Sequence, residues 1–233
     1  MKKILSVCVC LLFIMTAILP LGRLISALFG YTFELINIFT FSVIIAVISV
    51  FAVIFSFISK EKTDSKITVL SHILLPLSFI NAVFCIFESG QIAVVICVLI
   101  SVVCSFFLMV RNTMSKVRKI VISVLFALMT AFLLFFAFIM LMFGTIGQTT
   151  IDRTVESPDN SRYAQVLIID QGALGGNTVV DVYERKEINA GIFKIKKKPQ
   201  TVYIGEWGES ENMQIYWKDD TCLVINSEEY VLE

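Results

Sequence analysis

Five stretches of this chain have no charge over a length that spans a bilayer: Ile4–Gly22, Leu35–Ser59, Ile67–Phe87, Gln91–Val110 and Ile120–Phe143. None contains Asp, Glu, Lys or Arg, and His72 is the only imidazole within them. A helix needs about 20 apolar residues to cross roughly 30 Å of hydrocarbon at about 1.5 Å per residue. The backbone polar groups of a spanning segment must be satisfied internally, so each stretch is expected to be a helix. The fold class that follows is a membrane all-α bundle of five transmembrane helices over residues 1–143. A small C-terminal all-β antiparallel domain follows it.

The zero formal net charge conceals two opposite halves. Residues 1–143 carry 10 Lys/Arg against 4 Asp/Glu, and residues 144–233 carry 9 against 15. An acidic polar half repels phosphate backbones, so no nucleic-acid partner is expected. A cleaved leader is the competing reading of the first stretch, since Lys2 and Lys3 precede it. Its apolar run exceeds a leader's usual core, and no small-x-small site precedes Arg23. Bulky Val before Cys8 and Cys10 speaks against a lipidated cysteine.

Nine basic residues fall in alternate connections: Lys2, Lys3, Lys60, Lys62, Lys66, Arg111, Lys116, Arg118 and Lys119. The opposite short connections hold only Arg23. By the positive-inside rule the amino terminus is cytoplasmic, and five crossings leave the C-terminal domain extracytoplasmic. Short connections at 60–66, 88–90 and 111–119 imply antiparallel neighbours in an up-and-down bundle. The connection Arg23–Glu34 carries Leu24, Ile25, Leu28, Phe29, Tyr31 and Phe33, which suit the outer membrane interface.

Intramembrane polar residues are the usual marks of function in a bundle. His72, with Ser71 beside it and Pro76 four residues on, is the candidate intramembrane polar site; Pro76 cannot donate to the carbonyl of residue 72. The plainer reading is an imidazole at a kinked helix end. Asn37 and Asn81 read as interhelical hydrogen bonders. One His cannot supply a His-Glu-x-x-His metal pair, and no Gly-rich serine turn or acidic midplane repeat is present. No catalytic, cofactor-binding or metal residues are expected.

Residues 144–156 read as a tether and residues 157–233 as the β-domain. Candidate strands are Tyr163–Asp170, Thr178–Glu184, Ile192–Ile195, Thr201–Ile204, Met213–Trp217, Cys222–Ile225 and Tyr230–Leu232, divided by turn-forming residues. Cys222 stands alone there, as a buried strand thiol or an intermolecular partner. Ser157-Pro158-Asp159 followed by Tyr163, the glycines from Gly172 to Gly176, and Trp217-Lys218-Asp219 leading to Ile225-Asn226 form a pattern. It resembles a family of uncharacterised Gram-positive membrane-anchored proteins with a small exterior domain bracketed by these motifs. The resemblance covers residues 156–232 and implies a bacterial cell envelope without implying an activity. The Ser-Pro-Asp opening also suits a propeller blade, but about 75 residues cannot close a propeller, and a turn is the simpler role.

Lys194, Lys196, Lys197 and Lys198 make a basic run in this acidic domain and are the candidate contact with an anionic surface. A solvated hairpin tip is the alternative. Asp219 and Asp220 lack the spacing of a calcium loop and read as a hairpin turn. Trp207 and Trp217 suit either a sugar platform or the core. The expected partners are the lipid bilayer and, outside, another envelope protein or anionic lipid. The expected role is a non-enzymatic binding or sensing protein. The alternative is an accessory or immunity-type subunit acting through its helices.

Overall fold

A computed structural model describes residues 2–59, 65–89, 91–113, 115–143, 148–172 and 175–232. Its helices are α1 (Lys2–Leu28), α2 (Ile38–Ile58), α3 (Ser65–Ser89), α4 (Ile92–Asn112) and α5 (Lys116–Phe143). All five are long and apolar enough to cross a membrane, and the chain is a multi-pass membrane protein. The basic connection from Lys60 to Asp64 lies outside the described residues.

α1 runs six residues past the expected end at Gly22. Arg23, expected in a connection, lies inside it. The guanidinium pairs with Glu88 of α3 and lies 4.6 Å from the centre of the Phe84 ring. A charge so paired tolerates a helix end near the membrane interface. Gly30 closes α1: its φ of +75° is a left-handed conformation suited to glycine, and its N–H bonds the carbonyl of Ala27 at 3.3 Å. Asn37 does not bond between helices as expected. It caps α2, its side-chain oxygen accepting from the N–H of Thr40 at 2.9 Å.

Small hydroxyls hold the bundle interior. Ser49 of α2 meets Ser101 of α4 at 3.1 Å, and Ser78 of α3 meets Ser105 of α4 at 2.7 Å, all buried. Asn81 does bridge helices, donating to the carbonyl of Thr16 on α1 and to Leu77 at 3.0 Å. Such contacts add about 0.6 kcal/mol each and allow close backbone approach.

Among the described residues ten strands follow or interrupt the helices: β1 (Tyr31–Leu35), β2 (Gln148–Glu156), β3 (Arg162–Asp170), β4 (Gly176–Glu184), β5 (Glu187–Ala190), β6 (Phe193–Lys197), β7 (Gln200–Glu206), β8 (Ile215–Trp217), β9 (Cys222–Ile225) and β10 (Glu228–Val231). They form sheets ordered β2-β3-β4-β7, β10-β9-β8 and β1-β6-β5. The first two share one core. Ala164 opposite Val182 and Val166 opposite Val180 face Leu223, Ile225, Met213 and Leu232. Trp217, half-buried, packs against this core, and its indole N–H donates to the Val155 carbonyl at 3.0 Å. Cys222 is a buried strand thiol, 5% exposed.

Three strands depart from the sequence expectation. The supposed tether becomes β2 from Gln148 onward, paired with β3 from Gln148–Asp170 to Glu156–Tyr163; residues 144–147 lie outside the described set. β2 is an edge strand, and its polar composition suits an edge. β5, also an edge and wholly exposed, had the composition of a separator. β1 is the largest departure. Ser26–Glu34 group with the C-terminal strands rather than with the helices, so the β-domain takes a strand from the α1–α2 connection.

Gly176 yields the first prediction. A Cβ there would overlap the Trp207 ring and the Ile169 carbonyl, a backbone atom that cannot move cheaply. Gly176→Ala is expected to destabilise the β-domain by about 1–3 kcal/mol and to lower its melting temperature by several degrees, followed by tryptophan fluorescence.

Candidate functional site

The basic run does not form a hairpin tip. Lys194, Lys196 and Lys197 lie in β6, the middle strand of its sheet, and Lys198 follows it. Glu34 of β1 sits between two of them, 3.3 Å from Lys194 Nζ and 2.8 Å from Lys196 Nζ. Burial raises the Glu34 carboxyl, but the hydrogen bonds and charges of Lys196 and Lys194 outweigh it, and the net direction is down. Thr32 Oγ1 donates to the Lys196 carbonyl at 3.3 Å, and the Lys198 N–H donates to the Gly30 carbonyl at 2.9 Å. Phe33 and Phe193 rings lie 4.9 Å apart. Strand, ion pairs and rings together bind β1 to β6.

Lys197 and Lys196 also reach side chains of the four-stranded sheet. Lys197 Nζ bonds Glu184 at 2.6 Å, and Lys196 Nζ lies 5.9 Å from the centre of the Tyr183 ring, which stacks on Tyr163 at 5.1 Å. Lys198, Arg162, Glu184 and Gln200 line a small cavity of about 40 Å³ over Val182 and Leu232. Sequence reasoning had the lysines but missed Glu34 and Arg162. The only available signal for Glu34 was a lone acid in an otherwise apolar connection.

His72 is not isolated. Its Nδ1–H donates to the Thr68 carbonyl at 2.7 Å, and Nε2 lies 3.3 Å from Thr113 Oγ1 at the end of α4. One residue earlier, Asn112 Nδ2 donates to Ser71 Oγ at 2.7 Å. Arg111 adds a bond to the Ser59 carbonyl at 2.9 Å and lies 5.1 Å from the centre of the Phe57 ring. Ser71–Asn112 and His72–Thr113 thus clasp α3 to α4, and Arg111 clasps α4 to α2. A wholly apolar groove of about 490 Å³ separates α3 from α5, lined by Phe79, Val83, Phe84, Leu128, Met129 and Phe132 among others. It suits an acyl chain or an apolar helix and offers no polar group for chemistry.

The Ser157-Pro158-Asp159 segment forms a turn, as read from sequence. Asp159 Oδ1 accepts from Ser157 Oγ at 2.8 Å and from the N–H and Oγ of Ser161, each at 2.9 Å. Ser157, 2% exposed, donates its N–H to the Arg162 carbonyl and accepts the Arg162 N–H at its hydroxyl oxygen, each at 3.0 Å. Asp220 accepts from the Asp159 N–H at 3.0 Å, and Asp219 accepts from Thr221 at 2.8 Å, so both acids serve turns. Among the described residues no group of three His, Cys, Asp or Glu is placed to hold a metal ion. No family model, curated protein or solved structure matches the chain.

The turn carries a pH prediction. Hydrogen bonds from Ser161, then Ser157, hold the Asp159 carboxyl down from its ordinary 3.8 to about 2. A depressed carboxyl contributes stability that is fully present above its ordinary value and lost as pH falls through the folded value. The turn is therefore expected to weaken between about pH 4 and pH 2. Asp159→Asn should flatten that part of the acid-unfolding curve, read by tryptophan fluorescence.

Proposed function

We propose that this chain is a non-enzymatic cell-envelope protein whose helix bundle anchors an extracytoplasmic β-domain that binds or senses a partner. The observation that carries this reading is β1. A domain hung from α5 alone would move independently of the bundle. This one is also joined to α1 and α2 through the strand it takes from their connection. A force or ordering event at β6 is passed along the chain into two helices as well as into α5. That wiring suits a sensor or a positioned binding module better than a passive tether.

The orientation rests on charge and parity. The basic connections favour a cytoplasmic amino terminus. Four helices separate β1 from β2, so four crossings return the chain to the side on which β1 lies. The presence of both strands in one domain agrees with an even number of crossings between them. The polar side chains of the bundle serve as helix clasps, which supports an anchoring role over a catalytic one. The resemblance of residues 156–232 to the Gram-positive exterior domain family supports a bacterial envelope setting.

A second reading is an accessory or immunity-type subunit that binds a membrane partner through its helices. α5 favours it: Phe132, Phe135 and Phe138 are 64%, 60% and 58% exposed, and the groove beside α3 is open. Lipid alone satisfies such a surface, so the β-domain reading is preferred.

Impermeant maleimide labelling tests the orientation in intact cells, with single cysteines in a cysteine-free chain. Glu211 in the β-domain and Ser115 in the α4–α5 connection are both exposed. Glu211→Cys is expected to label without lysis, and Ser115→Cys only after it. The reverse pattern would overturn the extracytoplasmic assignment.

A further inference from the structure

We propose that the joint where α2, α3 and α4 meet around Asn81 is a binding site for a single water molecule that bridges the helices. The site follows from helical spacing. Ser78 and Asn81 stand three residues apart on α3, and Val98 and Ser101 three apart on α4. With Phe41 and Ser42 from the start of α2 they line one small cavity of about 10 Å³. All six are buried, and Asn81 is only 3% exposed.

A count of hydrogens defines the ligand. Both hydrogens of Asn81 Nδ2 are spent, on the carbonyls of Thr16 and Leu77. Asn81 Oδ1 is buried and has no hydrogen-bond partner among the described residues. The Ser42 hydroxyl donates to the Ile38 carbonyl at 2.8 Å. Ser49 donates to the Ile45 carbonyl at 2.8 Å, so in its 3.1 Å contact with Ser101 the hydrogen comes from Ser101. Asn81, Ser42 and Ser101 therefore offer lone pairs and no free hydrogen. An orphaned acceptor at membrane depth is costly. What satisfies it must bring hydrogens or positive charge.

Size and charge decide between the two. A cavity of about 10 Å³ is close to the smallest that admits one water. Among the described residues no Asp, Glu, Lys or Arg lines it, so a cation would be buried without a counter-charge. Water needs none. Its two hydrogens serve Asn81 Oδ1 and one serine oxygen, that of Ser42 or Ser101. Ser78 Oγ lies 2.7 Å from Ser105 Oγ and is free to give its own hydrogen to the water when Ser105 is the donor of that pair. Three bonds to polar groups are the usual complement of a buried water. Since Asn81 also reaches Thr16 on α1, the water completes a joint among four helices.

X-ray radiolysis of the full-length chain in nonionic detergent, with side-chain oxidation read by mass spectrometry, tests the site. A bound water is cleaved where it sits and marks the side chains that it touches. Phe41, on the cavity wall, is expected to be oxidised above Leu108, comparably buried but off the cavity, after correction for intrinsic reactivity. Ser101→Val fills the cavity and Asn81→Leu removes the orphaned acceptor; each should bring Phe41 down to the Leu108 level. Thr16→Val, buried but off the cavity, should leave the Phe41 signal unchanged. The melting temperature should be the same in sodium, potassium and choline chloride. Ser101→Val keeps the test valid if Asn81→Leu fails to fold. The proposal is overturned by Phe41 labelled no more than Leu108 in the natural chain, by labelling undiminished in Ser101→Val, or by an equal loss in Thr16→Val. A melting temperature raised by sodium alone would also overturn it, in favour of a cation.

Discussion

A chain leaving one apolar helix and entering another carries unpaired backbone N–H and C=O groups between them, and these need partners. Here the segment after α1 pairs with β6, and Glu34 between Lys194 and Lys196 fixes which residues meet. The Phe33–Phe193 contact buries the same junction. Surface ion pairs contribute at most about 1 kcal/mol each, so the backbone pairing and the rings carry most of the attachment. The lysines choose the partner more than they stabilise it. The membership of the α1–α2 connection in the β-domain depends on this junction, and through it the domain is joined along the chain to α1 and α2 as well as to α5.

Within the bundle, polar groups are used in pairs. The serine contacts of α4 with α2 and α3, the Asn81 bridge to α1 and the His72–Thr113 and Ser71–Asn112 clasps lock α1 to α4 at several depths. α5 takes little part. Its contacts are mainly aromatic, such as Phe126 stacked on Phe106 at 4.0 Å, and a groove remains beside α3. The bundle therefore combines a clasped set of four helices with a fifth held by nondirectional packing. The fifth leads toward the β-domain.

Apolar length alone made the five helices legible, since hydrocarbon leaves a backbone no other choice. Their ends were not legible: Arg23 lies inside α1 only because Glu88 and Phe84, far along the chain, receive its charge. Seven strands showed in the alternation of β-branched and aromatic residues. β2 and β5 did not, because Gln148–Glu156 and Glu187–Ala190 are mostly polar runs with too few apolar residues to show an alternation. β1 was misread for a physical reason. Tyr31-Thr32-Phe33-Glu34-Leu35 has the aromatic character of a membrane interface, and only pairing with a strand some 160 residues later makes it a strand. The lysine run was visible as charge, but its meaning depended on Glu34, Glu184 and Arg162, which only the fold brings to it.

Hydrogen exchange read by mass spectrometry tests the junction most directly. The full-length chain in detergent is compared with one in which Tyr31–Glu34 are replaced by a Gly-Ser segment of equal length. The account predicts slow exchange for the amides of Phe193–Lys198 in the natural chain and exchange near the unprotected rate in the replacement, with β3, β4 and β9 protected in both. Equal protection of Phe193–Lys198 in the two chains would contradict the claim that β1 completes this domain.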